Sequence, residues 1–134
     1  MKEGVMIIGH GSKMRSNKDV MEIHAERLRK KGFENVYIGF NEISSPSIDE
    51  TLKIMANDGI DIIFALPLFI APGRHTTVDI PEKLGLSEEW DNIIRVDGRW
   101  MKVNYATPIG DDPYITDILI GKINSIRGAG TNSL

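Results

Sequence analysis

The chain has 134 residues, enough for one compact domain with a core of its own. Apolar residues make up 41% and charged residues 26%, and 16 Lys and Arg stand against 19 Asp and Glu, a net charge of -3. That balance argues against a nucleic-acid protein, and the absence of cysteine excludes disulfides, thiolate metal sites and cysteine nucleophiles.

Met1-Lys2-Glu3-Gly4 leads into Val5-Met6-Ile7-Ile8, an apolar run too short for a signal peptide or a membrane span. It reads as a buried strand, and the expected location is the cytoplasm, with no membrane partner. Ser16 offers an N-cap with Asp19 three residues on. Val20, Ile23, His24, Arg27 and Leu28 then follow at helical spacing, with Gly32 as the stop. Residues 36–40 (Val-Tyr-Ile-Gly-Phe) read as a second strand. A second helix is expected from Ser45-Pro46, with proline at the first helical position, Asp49 and Glu50 in the first turn, and Ile48, Leu52 and Met55 on one face. Gly59 ends it.

Residues 60–70 are nearly all apolar without alternation, as expected of a strand covered on both faces. Pro67 predicts that pairing weakens before the end of that run. Residues 85–100 read as a long loop with short pieces around Trp90 and Ile93-Ile94. A fourth strand is expected over residues 102–107. A last helix starts near Asp112-Pro113, with Ile115, Ile118, Leu119, Ile123 and Ile126 on its apolar side, and ends by Gly128. The alternation predicts an α/β fold: a four-stranded parallel sheet with helices on both faces. Residues 1–127 form the single domain and residues 128–134 a flexible tail.

In open parallel sheets, ligands bind beyond the carboxyl ends of the strands. Gly9-His10-Gly11-Ser12, Glu42, residues 72–77 (Pro-Gly-Arg-His-Thr-Thr) and Pro108-Ile109-Gly110-Asp111 all fall there. If the first and third strands are neighbours, roughly 5 Å apart, His10 and His75 face one cavity. The glycines beside His10 permit a sharp turn and close approach of a large ligand, or simply a tight strand-to-helix turn. Asp79, four residues after His75, either orients that imidazole or serves as a first-turn helix acid. His24 reads as a packed mid-helix histidine. Glu42 is an acid, base or metal ligand, or a solvated loop acid. Lys13, Arg15 and Arg74 flank the histidine loops and suit ligand carboxylates. Gly9-His10-Gly11 lacks the third glycine of a dinucleotide loop, because Met14 occupies that place. Its His-Gly pair lacks the arginine of the histidine-phosphatase motif, since Gly9 stands there.

Taken together, Ile8-Gly9-His10-Gly11-Ser12, Pro67-Leu68-Phe69-Ile70 leading into Gly73-Arg74-His75, Asp79-Ile80-Pro81 and Pro108-Ile109-Gly110 resemble the short class II chelatases over residues 3–127. This is the small archaeal form of sirohydrochlorin cobaltochelatase, also described as the sirohydrochlorin nickelochelatase of coenzyme F430 biosynthesis. The resemblance implies one lobe of a two-lobed architecture, completed as a symmetric homodimer. It implies insertion of Ni²⁺ or Co²⁺ into sirohydrochlorin, on the route to coenzyme F430 or cobalamin, with nickel placed slightly ahead. It carries the two active-site histidines onto His10 and His75, and loosely a glutamate position onto Glu42; imidazole chemistry suits the two histidines to guide the metal and accept pyrrole protons. Gly11, Ser12, Lys13, Arg15, Glu42, Arg74 and Thr76 become substrate-binding candidates. No cofactor is implied beyond the substrate metal ion, and the chain has no Walker motif for a nucleotide. The histidine-rich metal-storing tract of some relatives is missing. Two other readings of the same residues are a non-catalytic tetrapyrrole or metal carrier and a histidine-phosphatase-like enzyme.

Overall fold

The computed structural model describes residues 1–130. Strand β1 (Glu3–Gly9) lies at the centre of a sheet between β2 (Val36–Phe40) and β3 (Ile62–Pro67), both parallel to it. Helix α1 (Arg15–Lys30) joins β1 to β2, and α2 (Ile48–Asn57) joins β2 to β3. A π-helical turn (His75–Asp79) runs into α3 (Ile80–Leu84), and β4 (Ile93–Val96), β5 (Arg99–Tyr105) and α4 (Pro113–Gly130) complete the chain. The sheet order is β2-β1-β3-β5-β4.

The expected four-stranded parallel sheet is corrected on one point. The sheet has five strands and is mixed, because β4 pairs antiparallel with β5. The stretch read as a loop therefore carries a hairpin. Its turn is Asp97-Gly98, with φ values of 50° and 82°. Positive φ at both central residues of a two-residue turn matches the twist of the flanking strands, and Asp-Gly is a strong signal for it.

Both helix starts also move. Met14 occupies the N-cap of α1 without a side-chain cap, so Ser16 and Asp19 lie inside the helix, where Asp19 pairs with Arg15 at 3.6 Å. Pro46 lies outside α2. Ser47 is the N-cap, and its hydroxyl accepts from the Glu50 amide at 3.1 Å, satisfying one of the free first-turn donors. At the other end of the chain, α4 continues past Gly128 to Gly130, and the rest of the expected tail, residues 131–134, lies outside the described residues.

The main core fills the face of the sheet under α2 and α3. Met6, Ile8, Ile63 and Val103 point from the strands onto Leu52, Met55, Ile80 and Leu84, all nearly or fully buried. Each such side chain contributes roughly 1.5–3 kcal/mol by leaving water. On the opposite face α1 packs over β1 and β2, with Met21 and Ala25 against Val5, Ile7 and Phe40. The helix is rotated from the expected stripe: Val20 and Ile23 are about half exposed, and His24, read as packed, is exposed instead. Register places Ile62, Phe64 and Leu66 of β3 on this same face, beside Glu3, Val5 and Ile7. Among the described residues no helix covers that part of the sheet, and Phe64 remains 37% exposed. The expectation of cover on both faces of β3 fails there. Helix α4 stands clear of the sheet, and every residue from Thr116 to Ala129 is exposed. Among the described residues no helix is long and apolar enough to cross a membrane.

Candidate metal-handling site

Three strand ends build the site. His10 follows β1 directly, Asn41 and Glu42 follow β2, and the loop after β3 leads to His75 at the start of the π-helical turn. Backbone pairing continues past the strands: the Asn41 amide donates to the Gly9 carbonyl at 2.9 Å and the Glu42 amide to the His10 carbonyl at 3.1 Å. These two bonds fix Asn41 and Glu42 beside His10. Leu68 donates to the Ile8 carbonyl at 2.8 Å and ties the β3 end to β1 in the same way.

The imidazoles of His10 and His75 meet edge to face, with centroids 4.6 Å apart and planes at 82°. Glu42 Oε1 lies 3.0 Å from His10 Nε2. One potential ligand atom from each of His10, Glu42 and His75 falls within 4.8 Å of the others. All three side chains are more than 40% exposed, so the group opens to solvent on one side. The Phe69 ring closes the other flank of His10, 6.0 Å away.

His75 is held at Nδ1 from two directions. Asp79 Oδ2 lies 2.9 Å from it, and the Asn41 amide nitrogen 3.1 Å. With a proton on Nδ1 the ring donates to Asp79; without one, Nδ1 accepts from Asn41. In the first tautomer Nε2 presents a free lone pair; in the second Nε2 carries the proton and can only donate. The Lys83 ammonium donates to both the backbone and side-chain oxygens of Asn41. That double contact fixes which end of the amide faces His75. The turn itself is stapled by Tyr105, whose hydroxyl donates to the Thr76 carbonyl at 2.8 Å. Burial pushes the Tyr105 phenol above its ordinary pKa, which keeps that donor protonated.

The remaining sequence candidates divide by position. Gly11 has φ of 100°, and a Cβ there would lie 1.6 Å from the Glu42 carbonyl oxygen, so only glycine lets the two loops touch. The Ser12 amide donates to the Ser44 hydroxyl at 2.9 Å, which returns a bond to the Ser12 carbonyl at 2.8 Å. Thr76 is buried and its hydroxyl is spent on Gly73. Gly11, Ser12 and Thr76 thus shape the loops around the ligand set. Lys13 and Arg15 are exposed at the start of α1, and Arg74 is exposed just before the π-helical turn, 3.7 Å from Asp79. Sequence reasoning missed Asn41 and Lys83. Asn41 directly precedes Glu42 and was legible by adjacency, but Lys83 reaches it across 42 positions, and nothing local announces that contact.

The mixed α/β sheet gathers two imidazoles and a carboxylate at the carboxyl edge of its parallel strands, a donor set with the chemistry to hold a metal ion. The CbiX family model matches residues 4–126. A sirohydrochlorin cobaltochelatase of Methanopyrus kandleri is 36% identical over 92% of this chain and 96% of its own length. One of Sulfurisphaera tokodaii is 37% identical over 97% and 98%. The chain belongs to the CbiX family. Among solved structures, the sirohydrochlorin chelatase SirB of Bacillus subtilis subspecies spizizenii, in complex with cobalt, superposes with a TM-score of 0.77 at 23% identity. That match covers 94% of this chain but only 51% of SirB. A CbiX protein of Marinobacter aquaeolei matches at TM-score 0.69 and 24% identity, over 92% and 95% of the two chains. Both superpositions speak to the fold.

Proposed function

We propose that this protein inserts a divalent metal ion, Co²⁺ or Ni²⁺, into sirohydrochlorin in the cytoplasm, and that it works as a homodimer. The observation that carries the reading is the cluster of His10, Glu42 and His75 at the open carboxyl edge of the sheet, in a chain whose full-length relatives bear the name sirohydrochlorin cobaltochelatase. Three protein donors hold an ion while leaving coordination positions free, whereas a closed four-ligand site retains its metal. Imidazole and carboxylate accept the borderline ions of the late first row without strong discrimination, so geometry and supply select between cobalt and nickel.

The macrocycle must lose two pyrrole protons as the ion enters. With a proton on Nδ1, the Nε2 lone pair of His75 is placed to take one. Glu42 beside His10 supplies a negative charge that offsets the incoming cation. Lys13, Arg15 and Arg74 receive the peripheral carboxylates of the substrate.

The test is spectroscopic. Apo-protein, anaerobic sirohydrochlorin and Co²⁺ or Ni²⁺ are expected to give multiple turnovers, followed as the shift in the tetrapyrrole absorption bands. Stoichiometric binding without turnover favours the carrier reading, and an unchanged spectrum defeats the assignment. Groups that orient a ligating histidine typically matter 10–100-fold for metal affinity. Asn41→Ala is therefore expected to weaken Co²⁺ binding about 10-fold, and Lys83→Met to do so less. Titration of the cobalt visible bands checks both, and unchanged affinity in Asn41→Ala removes the positioning role.

A further inference from the structure

Each of the three loops that brings a donor to the site also leaves one large apolar side chain in solvent. Met14 follows His10, Ile43 follows Glu42, and Ile70 precedes His75, and all three are 63–69% exposed. A single exposed apolar residue needs no explanation, but three on the loops of one polar cluster mark a contact surface.

Two of the three stand where local preference disfavours them. Met14 occupies the N-cap of α1, with φ of -81° and ψ of 124°, yet its side chain makes no cap. A serine there would satisfy a free first-turn amide. Ile43 has φ of 64°, in the left-handed region that β-branched side chains avoid. The Ser44 amide donates to the Glu42 carbonyl at 2.7 Å and closes a three-residue turn around it. Departures of this kind gather where a side chain serves something other than folding.

The backbone at these residues is anchored. The Met14 amide donates to the Ser12 hydroxyl at 3.0 Å, and the Ser44 hydroxyl, one residue past Ile43, bonds both the amide and the carbonyl of Ser12. Met14 and Ile43 therefore sit on two loops clasped to each other. The Ile70 carbonyl accepts from the Gly110 amide at 2.6 Å, directly after Phe69, whose ring flanks His10. Cations stand beside them in the chain: Lys13 and Arg15 on either side of Met14, and Arg74 before His75, all exposed. Metal donors, apolar side chains and cations thus share one edge of the sheet. Sirohydrochlorin carries the three matching chemistries, in its ring nitrogens, its apolar carbon framework and its carboxylates.

We infer that Met14, Ile43 and Ile70 form an apolar collar that seats the carbon framework of the macrocycle over the donor cluster, and that they set affinity for the tetrapyrrole without touching the metal. The inference rests on the chelatase reading above and adds which residues hold its organic substrate.

The test sets stability against binding. Met14→Ser supplies the missing cap, and Ile43→Asn places at φ of 64° a residue that tolerates it. Each is expected to keep or raise Tm, to leave the Co²⁺ dissociation constant within twofold of wild type, and to weaken binding of metal-free sirohydrochlorin about tenfold, the worth of one buried apolar side chain. Ile70→Ser is expected to weaken that binding with no gain in Tm, and Met14→Leu to retain it. Anaerobic absorbance titration of sirohydrochlorin, cobalt titration and thermal unfolding read the three quantities. A raised Tm with unchanged sirohydrochlorin affinity overturns the collar. A changed solution mass by light scattering with unchanged sirohydrochlorin affinity assigns these residues to contact between copies, and also overturns it. Wild type that binds and metallates sirohydrochlorin beside variants that bind it equally well defeats the collar alone. Wild type that binds no sirohydrochlorin defeats the chelatase reading and the collar with it.

Discussion

His75→Ala is expected to lower kcat/KM for cobalt insertion into sirohydrochlorin by about 10²–10⁴-fold, the usual worth of a positioned proton acceptor, while leaving the lobe folded. The imidazole is 43% exposed, so little stability is expected to go with it. The loss arises because, with Nδ1 donating to Asp79, Nε2 is the free nitrogen. On the proposed reading, removing it takes away a ligand and a base in one change. His10→Ala is expected to follow the same direction through a different route. His10 Nε2 lies 3.0 Å from Glu42, so on the proposed reading this imidazole and carboxylate act on the ion together. Glu42→Gln keeps a hydrogen-bonding partner for His10 but removes the carboxylate charge. It should therefore weaken Co²⁺ binding more than it slows the proton-accepting step. Steady-state turnover together with cobalt titration separates these cases. Turnover in His75→Ala within twofold of wild type would sink the assigned role.

The parts of this protein that the sequence displays are those with a local cause. Val36–Phe40 is bounded as expected because an apolar run lies between a helix stop and a polar loop. His10 and His75 come together because each directly follows a central parallel strand or its loop, and β1 and β3 are neighbours. The helix starts are less legible, since α1 begins without the serine cap that its sequence offers. The β4–β5 hairpin was marked by Asp97-Gly98 but obscured by its length, four residues in β4 against the long apolar run before it. His24 was misplaced for a different reason. Helical spacing identifies a stripe, but which neighbours cover that stripe is decided elsewhere in the fold, and here Met21 and Ala25 face the sheet instead. The Lys83–Asn41 contact and the vacancy over β3 are likewise tertiary facts. Neither follows from any window of sequence.

Gly11→Ala is the second change with a large expected effect, and it tests the loop architecture independently of the histidines. The added Cβ would lie 1.6 Å from the Glu42 carbonyl oxygen and 2.7 Å from its carbonyl carbon. Both are backbone atoms, so no rotamer change relieves the contact. The φ of 100° adds its own penalty for any residue with a Cβ, roughly 1–3 kcal/mol. Overpacking against a fixed backbone costs a further ~1–3 kcal/mol. The two loops must therefore separate, and three contacts go with them: the Glu42 amide to His10 carbonyl bond and the reciprocal Ser12–Ser44 pair. Ile43 sits in the same loop with φ of 64°, a costly conformation for a β-branched residue, sustained only while those contacts hold. A stability loss of about 2–5 kcal/mol and a fall in Tm of roughly 8–20 °C are expected, together with weakened cobalt binding as Glu42 drifts from His10. Gly73→Ala supplies the contrast. It lies in the loop that carries His75, but its added Cβ meets nothing within 4 Å. Thermal unfolding of the two variants side by side distinguishes a general sensitivity of the site loops from the specific contact at Gly11. Equal losses would mean that the close approach of Gly11 to Glu42 is not what holds the ligand set together.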